Sequence, residues 1–367
     1  MLFFAQNISV ILAQPSGRAI FKGSPISITI MYVRRNIRWN LIWKFSWRNL
    51  LFFTIWAFFV TAIYLGLSQK GIDISIPFLP LSTIGIAVAF YIGFKNSQSY
   101  DRFWEGRKIW GGIVNYSRTW ANQVLNYTQD TTMTDPNVPK VVASLHNELI
   151  YRHIAWINAL RIQLRQTTIL DRENSSYVPD LKLKNDRECQ DYIRRFLLDE
   201  EYISVMQKAN TATHLVNTQG NTLKQLVEDQ QLDVFRQVDM MQTLEELYNL
   251  QGKCERIKNT PFPRQYAYIS TVFVWIFVIL LPFGLVSEFN EMSNKAIVWL
   301  TVPFSVLISW IFATIETVGD NSEAPFENYI NDVPMTALCR TKEIDLRELL
   351  GETDLPPKIK PVNDILM

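Results

Sequence analysis

Apolar residues in this chain are gathered into four long runs, and the charged positions lie almost entirely between and outside them. Leu50 to Leu67 reads LLFFTIWAFFVTAIYLGL without a single charge. The stretches between Asp73 and Lys95, between Arg264 and Glu288, and between Lys295 and Glu316 are equally free of Lys, Arg, Asp and Glu. A bilayer core of about 30 Å takes about 20 mainly apolar residues in a helix, because no water is present there to satisfy the backbone. The pattern therefore predicts a polytopic membrane protein with two pairs of spans, and it argues against a soluble enzyme.

The region from about Gln98 to Arg264 is polar, with apolar positions recurring at helical spacing. Leu145, Leu149, Arg152 and Trp156 form one such row and Leu223, Leu226, Val227 and Gln230 another, which predicts amphipathic helices packed into a bundle. No alternating strand pattern and no phosphate-binding glycine motif is present. Gln129 to Lys140 and Asp171 to Asp180 read as loops. After the fourth run the chain is acidic and closes on a proline-rich tail (Leu355, Pro356, Pro357, Pro361).

Bulk composition conceals this segregation: 367 residues carry 36 Lys and Arg against 35 Asp and Glu, a formal charge of +1 that gives no reason to expect nucleic acid. The position of the cations is more informative. Arg34, Arg35, Arg38, Lys44 and Arg48 precede the first run, and Lys95, Arg102, Arg107, Lys108 and Arg118 follow the second, whereas the connection between them holds only Lys70 and Asp73. The positive-inside rule then puts both chain ends and the long middle region in the cytoplasm. Trp39, Trp43, Trp47, Trp104 and Trp110 fit an aromatic belt at that interface.

Candidate chemistry is sparse. Cys189, Cys254 and Cys339 stand far apart with no metal-site spacing, and nothing places a base beside a nucleophile. His146 and His153 share a helix face, but no Cys, Asp or Glu completes a ligand set, and His214 is isolated; no metal and no cofactor is expected. Residues 1–30 lack the basic start of a signal peptide, and Met31 stands just before the basic run, so an over-long start is the expectation for that extension.

Within the second run, Ser82, Ile86, Phe90 and Phe94 fall at four-residue steps and form a slowly drifting stripe, with Gly85, Ala89 and Gly93 beside it. Small residues at that spacing allow helix backbones to approach closely in a membrane. Periodicity alone leaves two destinations open for the bulky stripe: the lipid, or the central axis of a ring of such helices.

Three stretches bear a family resemblance. Gly93 to Gly112, GFKNSQSYDRFWEGRKIWGG, resembles the hallmark that follows the pore helix of bestrophins, above all the bacterial ones. There a Gly-Phe pair leads into an Arg-aromatic-Trp-Glu-x-Arg-x-x-Trp-Gly run, matched here by Arg102, Trp104, Glu105, Arg107, Trp110 and Gly111. Asn259 to Tyr266, NTPFPRQY, resembles the entry into the family's third span, and Glu316 to Pro334, ETVGDNSEAPFENYINDVP, the segment after its fourth. Phe103 stands where a second tryptophan is usual.

The resemblance implies an all-α chain with four transmembrane helices and a cytosolic helical bundle, assembling in the lipid bilayer as a ring-shaped homopentamer that passes small inorganic ions. It implies a pore neck at Ile86, Phe90 and Phe94, and a cytosolic constriction that counting back from Pro263 puts at Phe235. The divisions follow as 1–30 extension, 31–97 first transmembrane pair, 98–264 cytosolic region, 265–316 second pair and 317–367 cytosolic tail. Glu316, Asp320, Glu323, Glu327 and Asp332 are dispersed, so the calcium gate of the animal branch is not expected.

Aromatic edges at the neck, with Lys95 just beyond it, favour chloride and similar anions, although an interfacial lysine also commonly snorkels to water. A monovalent-cation channel of the same architecture is the alternative, and a membrane scaffold with a docking bundle is the rival from another class. A secondary transporter would need inverted repeats and midplane charges. A bacterial inner membrane is the expected location.

Overall fold

The computed structural model describes residues 31–32, 39–128, 138–166, 191–292, 296–327, 332–360 and 365–366. The described residues are helical almost throughout: α1 Trp39–Ser68, α2 Phe78–Tyr127, α3 Val138–Arg165, α4 Asp199–Met206, α5 Thr211–Glu228, α6 Val234–Asn259, α7 Arg264–Asn290, α8 Thr301–Asn321 and α9 Met335–Leu349. A 3-10 turn, Ile297–Leu300, leads into α8. Four of these helices, α1, α2, α7 and α8 with its lead-in turn, are long and apolar enough to cross a membrane.

The prolines in the apolar runs sit where a helix tolerates them. Pro77 is the residue before α2, Pro80 lies in its first turn and Pro303 in the first turn of α8. Pro282 lies inside α7, which nevertheless runs on to Asn290. Donors from outside the helix reach its carbonyls on either side of that proline: Trp56 Nε1 donates to Ile279 O at 3.1 Å and Ile76 N to Phe283 O at 3.2 Å.

Among the described residues two main packed regions result, beside a small cluster of Tyr64, Val286 and Val298. α1, α2, α7 and α8 pack together around Phe53, Leu81, Val88, Val274, Phe277 and Leu281. A larger core joins the second half of α2 to α3, α5, α6 and α9, with Trp110, Trp120 and Trp156 wholly buried. The helix α2 belongs to both. Its 50 residues rise through about 75 Å, far more than one bilayer crossing needs, and the division at residue 97 falls inside it without a break.

The amphipathic rows behave as their spacing predicts in α3, where Leu149 and Trp156 are buried and Arg152 is buried with its charge met by Glu148 and Glu201. The second row extends too far, because α5 ends at Glu228 and Gln230 has φ +57°, a left-handed setting that no helix continues through. The loop expected to reach Lys140 is also shortened. Helix α3 already begins at Val138 and takes Pro139 into its first turn, where the missing N–H has no cost. Asp171 to Asp180, Cys189 and the extension 1–30 lie outside the described residues. Met31–Tyr32 pairs antiparallel with Ile365–Leu366, Met31 opposite Leu366, a bridge too short for any alternating pattern to announce.

Candidate functional site

The first half of α2 has one face packed within the chain and one left bare. Leu81, Gly85, Val88, Ile92, Lys95 and Ser99 are buried, against α7 and α8. Glycines make the approach possible: a Cβ on Gly284 would lie 2.3 Å from Leu81 Cδ2, and one on Gly85 would lie 2.8 Å from Phe277 Cε2. At 3.6 residues per turn, Phe90 points about 180° from the mean direction of that buried row. Ile86, Phe90 and Phe94 are 72%, 80% and 50% exposed. The small-residue edge divides in two, for Gly85 packs closely within the chain while Gly93 has nothing within 4 Å of its missing Cβ. An apolar recess lined by Phe78, Ser82, Ile86, Ala89, Phe277 and Ile308 opens beside the stripe.

Lys95 does not do what its place at the end of the second run suggests. It neither snorkels nor faces the direction of the stripe: it is 1% exposed and turned into the helix bundle. Its ammonium donates to Glu316 Oε1 at 2.7 Å and Asp320 Oδ1 at 2.5 Å, both on α8. Glu316 also accepts from Ser270 Oγ and Thr271 Oγ1 on α7, at 2.7 and 2.8 Å. The cause is register, because residue 95 falls on the buried row, where a cation is tolerated only if paired. The charges that bound the second and fourth apolar runs thus meet one another. Asn96, next along, donates from Nδ2 to Ile315 O at 3.1 Å.

The motif that follows is a docking strip along the same helix. Arg102 reaches three backbone carbonyls at 2.9 Å: Glu323 O from Nε, Thr260 O from Nη1 and Ile257 O from Nη2. One guanidinium thereby ties α2 both to the C-terminal end of α6 and to the segment after α8, a use its planar fork suits. Trp104 stacks on Tyr100 with its plane 6° from parallel, and Phe103 packs onto the core beneath. Glu105 pairs with Arg256 at 2.7 Å on an exposed surface. Trp110 is buried, and Arg107 and Gly111 are half-buried one turn apart. Two glycines outside the expected set matter as much: a Cβ on Gly106 would press on Pro325 and Phe326 at 3.2 Å, and one on Gly112 on Leu250 at 2.8 Å.

Four of the acidic residues on and after α8, Glu316, Asp320, Glu323 and Glu327, have protein cations as partners. Beyond Glu316 and Asp320, Glu323 lies 3.3 Å from Arg264 and Glu327 lies 3.8 Å from Lys258. None of these pairings was legible beforehand, since the partners come from separate elements.

Phe235, in the first turn of α6, is 85% exposed, with Val234, Val238 and Met241 also exposed on that helix. Asp233 caps the helix by accepting from Phe235 N and Arg236 N. The turn is fixed to the far end of α2, for Arg236 Nη1 donates to Tyr127 O at 3.1 Å, and Asp239 accepts from Tyr127 OH and Gln123 Nε2. Along the helix axis Tyr127 lies about 50 Å from Phe94. His146 and His153 do not converge on a common point: His146 Nε2 pairs with Thr128 Oγ1 at 2.8 Å, while His153 lies against Trp120 and Trp156. His214 is in the first turns of α5. Among the described residues no three His, Cys, Asp or Glu side chains gather into a metal-binding group. Cys254 and Cys339 are buried free thiols.

Comparison with known proteins adds a pedigree to this geometry. The sequence profile of the bacterial and fungal bestrophin proteins matches residues 37–348. The voltage-dependent anion channel-forming protein YneE of Escherichia coli strain K12 is 28% identical over 333 residues, which span 90% of this chain and 95% of that protein. The voltage-dependent anion channel-forming protein RSc3414 of Ralstonia nicotianae is 28% identical over 331 residues, 89% of this chain and 96% of its own. The crystal structure of a bacterial bestrophin homologue from Klebsiella pneumoniae superposes with a TM-score of 0.68 at 27% identity, covering 85% of this chain and 99% of that one.

Proposed function

This chain belongs to the bacterial and fungal bestrophin family, and on that premise we propose that it is a pentameric channel for small monovalent anions, with Ile86, Phe90 and Phe94 of each subunit lining an apolar neck. One observation carries the reading: the stripe lies bare on the face of α2 opposite the one its own chain covers. Five such helices around an axis would bring the three side chains into stacked rings, and the recess beside Ile86 would receive part of the neighbouring subunit. The relatives from Escherichia coli and Ralstonia nicotianae are both named as voltage-dependent anion channel-forming proteins, which supports the choice of ion.

Apolar rings have no groups with which to replace an ion's water, so the neck works by diameter and wetting, and discrimination among small ions is modest. The positive edges of Phe90 and Phe94 lean it toward anions. The excess of Lys and Arg around the outer ends of the first pair supports both termini in the cytoplasm, and the likeness to bacterial relatives supports an inner-membrane location. The bare Phe235 at the far end of α2 is then the second, cytosolic constriction on the same conduction path.

The burial of Lys95 favours a second reading. With its charge met by two carboxylates it contributes no positive field at the neck, and a monovalent-cation channel of the same architecture remains physically reasonable. Reversal potentials of the reconstituted full-length protein under a sodium chloride gradient separate the two. A shift toward the chloride potential is expected, whereas a shift toward sodium selects the cation reading. An intact pentamer that stays silent with all common ions sinks the channel itself.

A further inference from the structure

The neck residues are the obvious determinants of flux, but nothing in their own side chains fixes the angle at which α2 presents them. A Phe side chain ends roughly 6 Å from the helix axis, so a rotation of about 20° moves its ring by about 2 Å, enough to alter a narrow apolar ring. What resists such a rotation has to lie on the packed face.

That face is mostly smooth. Leu81, Val88 and Ile92 meet α7 and α8 through apolar contacts that have no strong directional preference, and a Cβ on Gly93 would meet nothing within 4 Å. The polar links near Phe94 are few: Tyr91 OH to Tyr266 O at 3.5 Å, Asn96 to Ile315 O, and the cluster at Lys95. Of these the cluster is the most directional and the most deeply buried. One ammonium is gripped by two carboxylates one turn apart on α8, and one of those carboxylates is gripped in turn by two hydroxyls of α7. Apolar residues at the same places would pack the helices without the desolvation cost of three charges, so what the ions add is a defined geometry. Residue 95 also follows Phe94 directly, about 100° round the helix from it.

We propose that Lys95 is a positioning residue for the neck: held by Glu316 and Asp320, it sets the rotation of α2 and hence how far Phe90 and Phe94 close the pore. The proposal rests on the channel reading above and adds that flux through the neck is set from behind it, by residues no ion touches.

The test is a cycle on the full-length protein in liposomes, with flux measured per pentamer for wild type, Lys95→Met, Phe90→Ala and the double variant. Lys95→Met is expected to change flux several-fold while the pentamer stays intact, and to have no further effect in the Phe90→Ala background, where the neck no longer limits. An intact Lys95→Met pentamer with wild-type flux overturns the proposal, as does an effect that multiplies unchanged with Phe90→Ala. A purely structural lysine would lower yield or melting temperature without that loss of effect. Should Lys95→Met fail to assemble, Asp320→Asn, which leaves the Lys95–Glu316 pair in place, is measured in the same cycle with the same two outcomes. A silent wild-type pentamer refutes the channel and this proposal together, while an active wild type with a responsive Phe90→Ala and an inert Lys95 variant refutes the positioning role alone.

Discussion

The side-chain amide of Asn96 occupies the space that a side chain on Gly319 would need. A Cβ built on that glycine would lie 1.8 Å from Asn96 Oδ1 and 2.9 Å from Asn96 Cγ. Gly319→Ala therefore forces Asn96 aside and breaks its hydrogen bond to Ile315 O. Overpacking of this kind costs about 1–3 kcal/mol. Heating the detergent-solubilised protein and following the loss of folded protein should show a lower melting temperature than wild type, and Gly66→Ala, at a glycine whose added Cβ would meet nothing within 4 Å, should not.

Arg102 serves three carbonyls at once, and a lysine ammonium cannot span them. Arg102→Lys leaves two of Ile257 O, Thr260 O and Glu323 O without their donor, at a cost of about 2–4 kcal/mol. The same melt should fall further than for Gly319→Ala. Protease digestion should show the join between α6 and α7 opening first, because that is where two of the three carbonyls lie.

The two bare apolar positions on the proposed conduction path make a further pair. Phe90→Ala should raise flux several-fold by widening the neck, and Phe235→Ala should alter flux or ion preference from the other end. Two constrictions on one path act in series, so Phe235→Ala should change flux more in the Phe90→Ala background, where the neck no longer limits, than in the wild-type background. Unchanged flux and selectivity on adding Phe235→Ala in both backgrounds would remove that residue from the path.

His153 gives the fold a defined response to acid. Burial between Trp120 and Trp156 pushes its pKa down to about 3, against about 6.5 in an unfolded chain. Between those values the unfolded chain binds a proton that the folded one refuses. Stability is therefore complete above about pH 6.5 and falls as the pH is lowered, by up to about 1.4 kcal/mol per unit from this residue. Melting curves at pH 7.5 and 5.5 should show a smaller acid loss for His153→Phe than for wild type. Equal losses would show that His153 is not the group responsible.

Much of the architecture could be read in advance because it depends on local pattern. Long uncharged runs specify membrane-spanning helices wherever they sit, and a four-residue step aligns Ile86, Phe90 and Phe94 whatever surrounds them. The docking strip was visible as a motif but not as a set of contacts, since Gly106 and Gly112 look like any glycine until Phe326 and Leu250 press on them. The end of α5 is hidden from the sequence pattern because Leu226 and Val227 keep the helical rhythm right up to a turn that Gln230 takes at φ +57°.

By itself the sequence determined that the chain spans a membrane, that it is helical, which stripe on the second span is bulky and apolar, and which family motif follows it. All of these are properties of neighbouring residues, governed by the transfer of apolar groups from water and by the pitch of one helix. Only the tertiary structure decided that the stripe is the uncovered face of α2, and that Lys95, at the apparent edge of a span, is buried against Glu316 and Asp320 more than 200 residues away. A charge beside an apolar run has the same local signature whether it reaches for water or for a partner. The outcome depends on which helix packs against its face, and that is settled by the fit of whole helices rather than by any short stretch of chain.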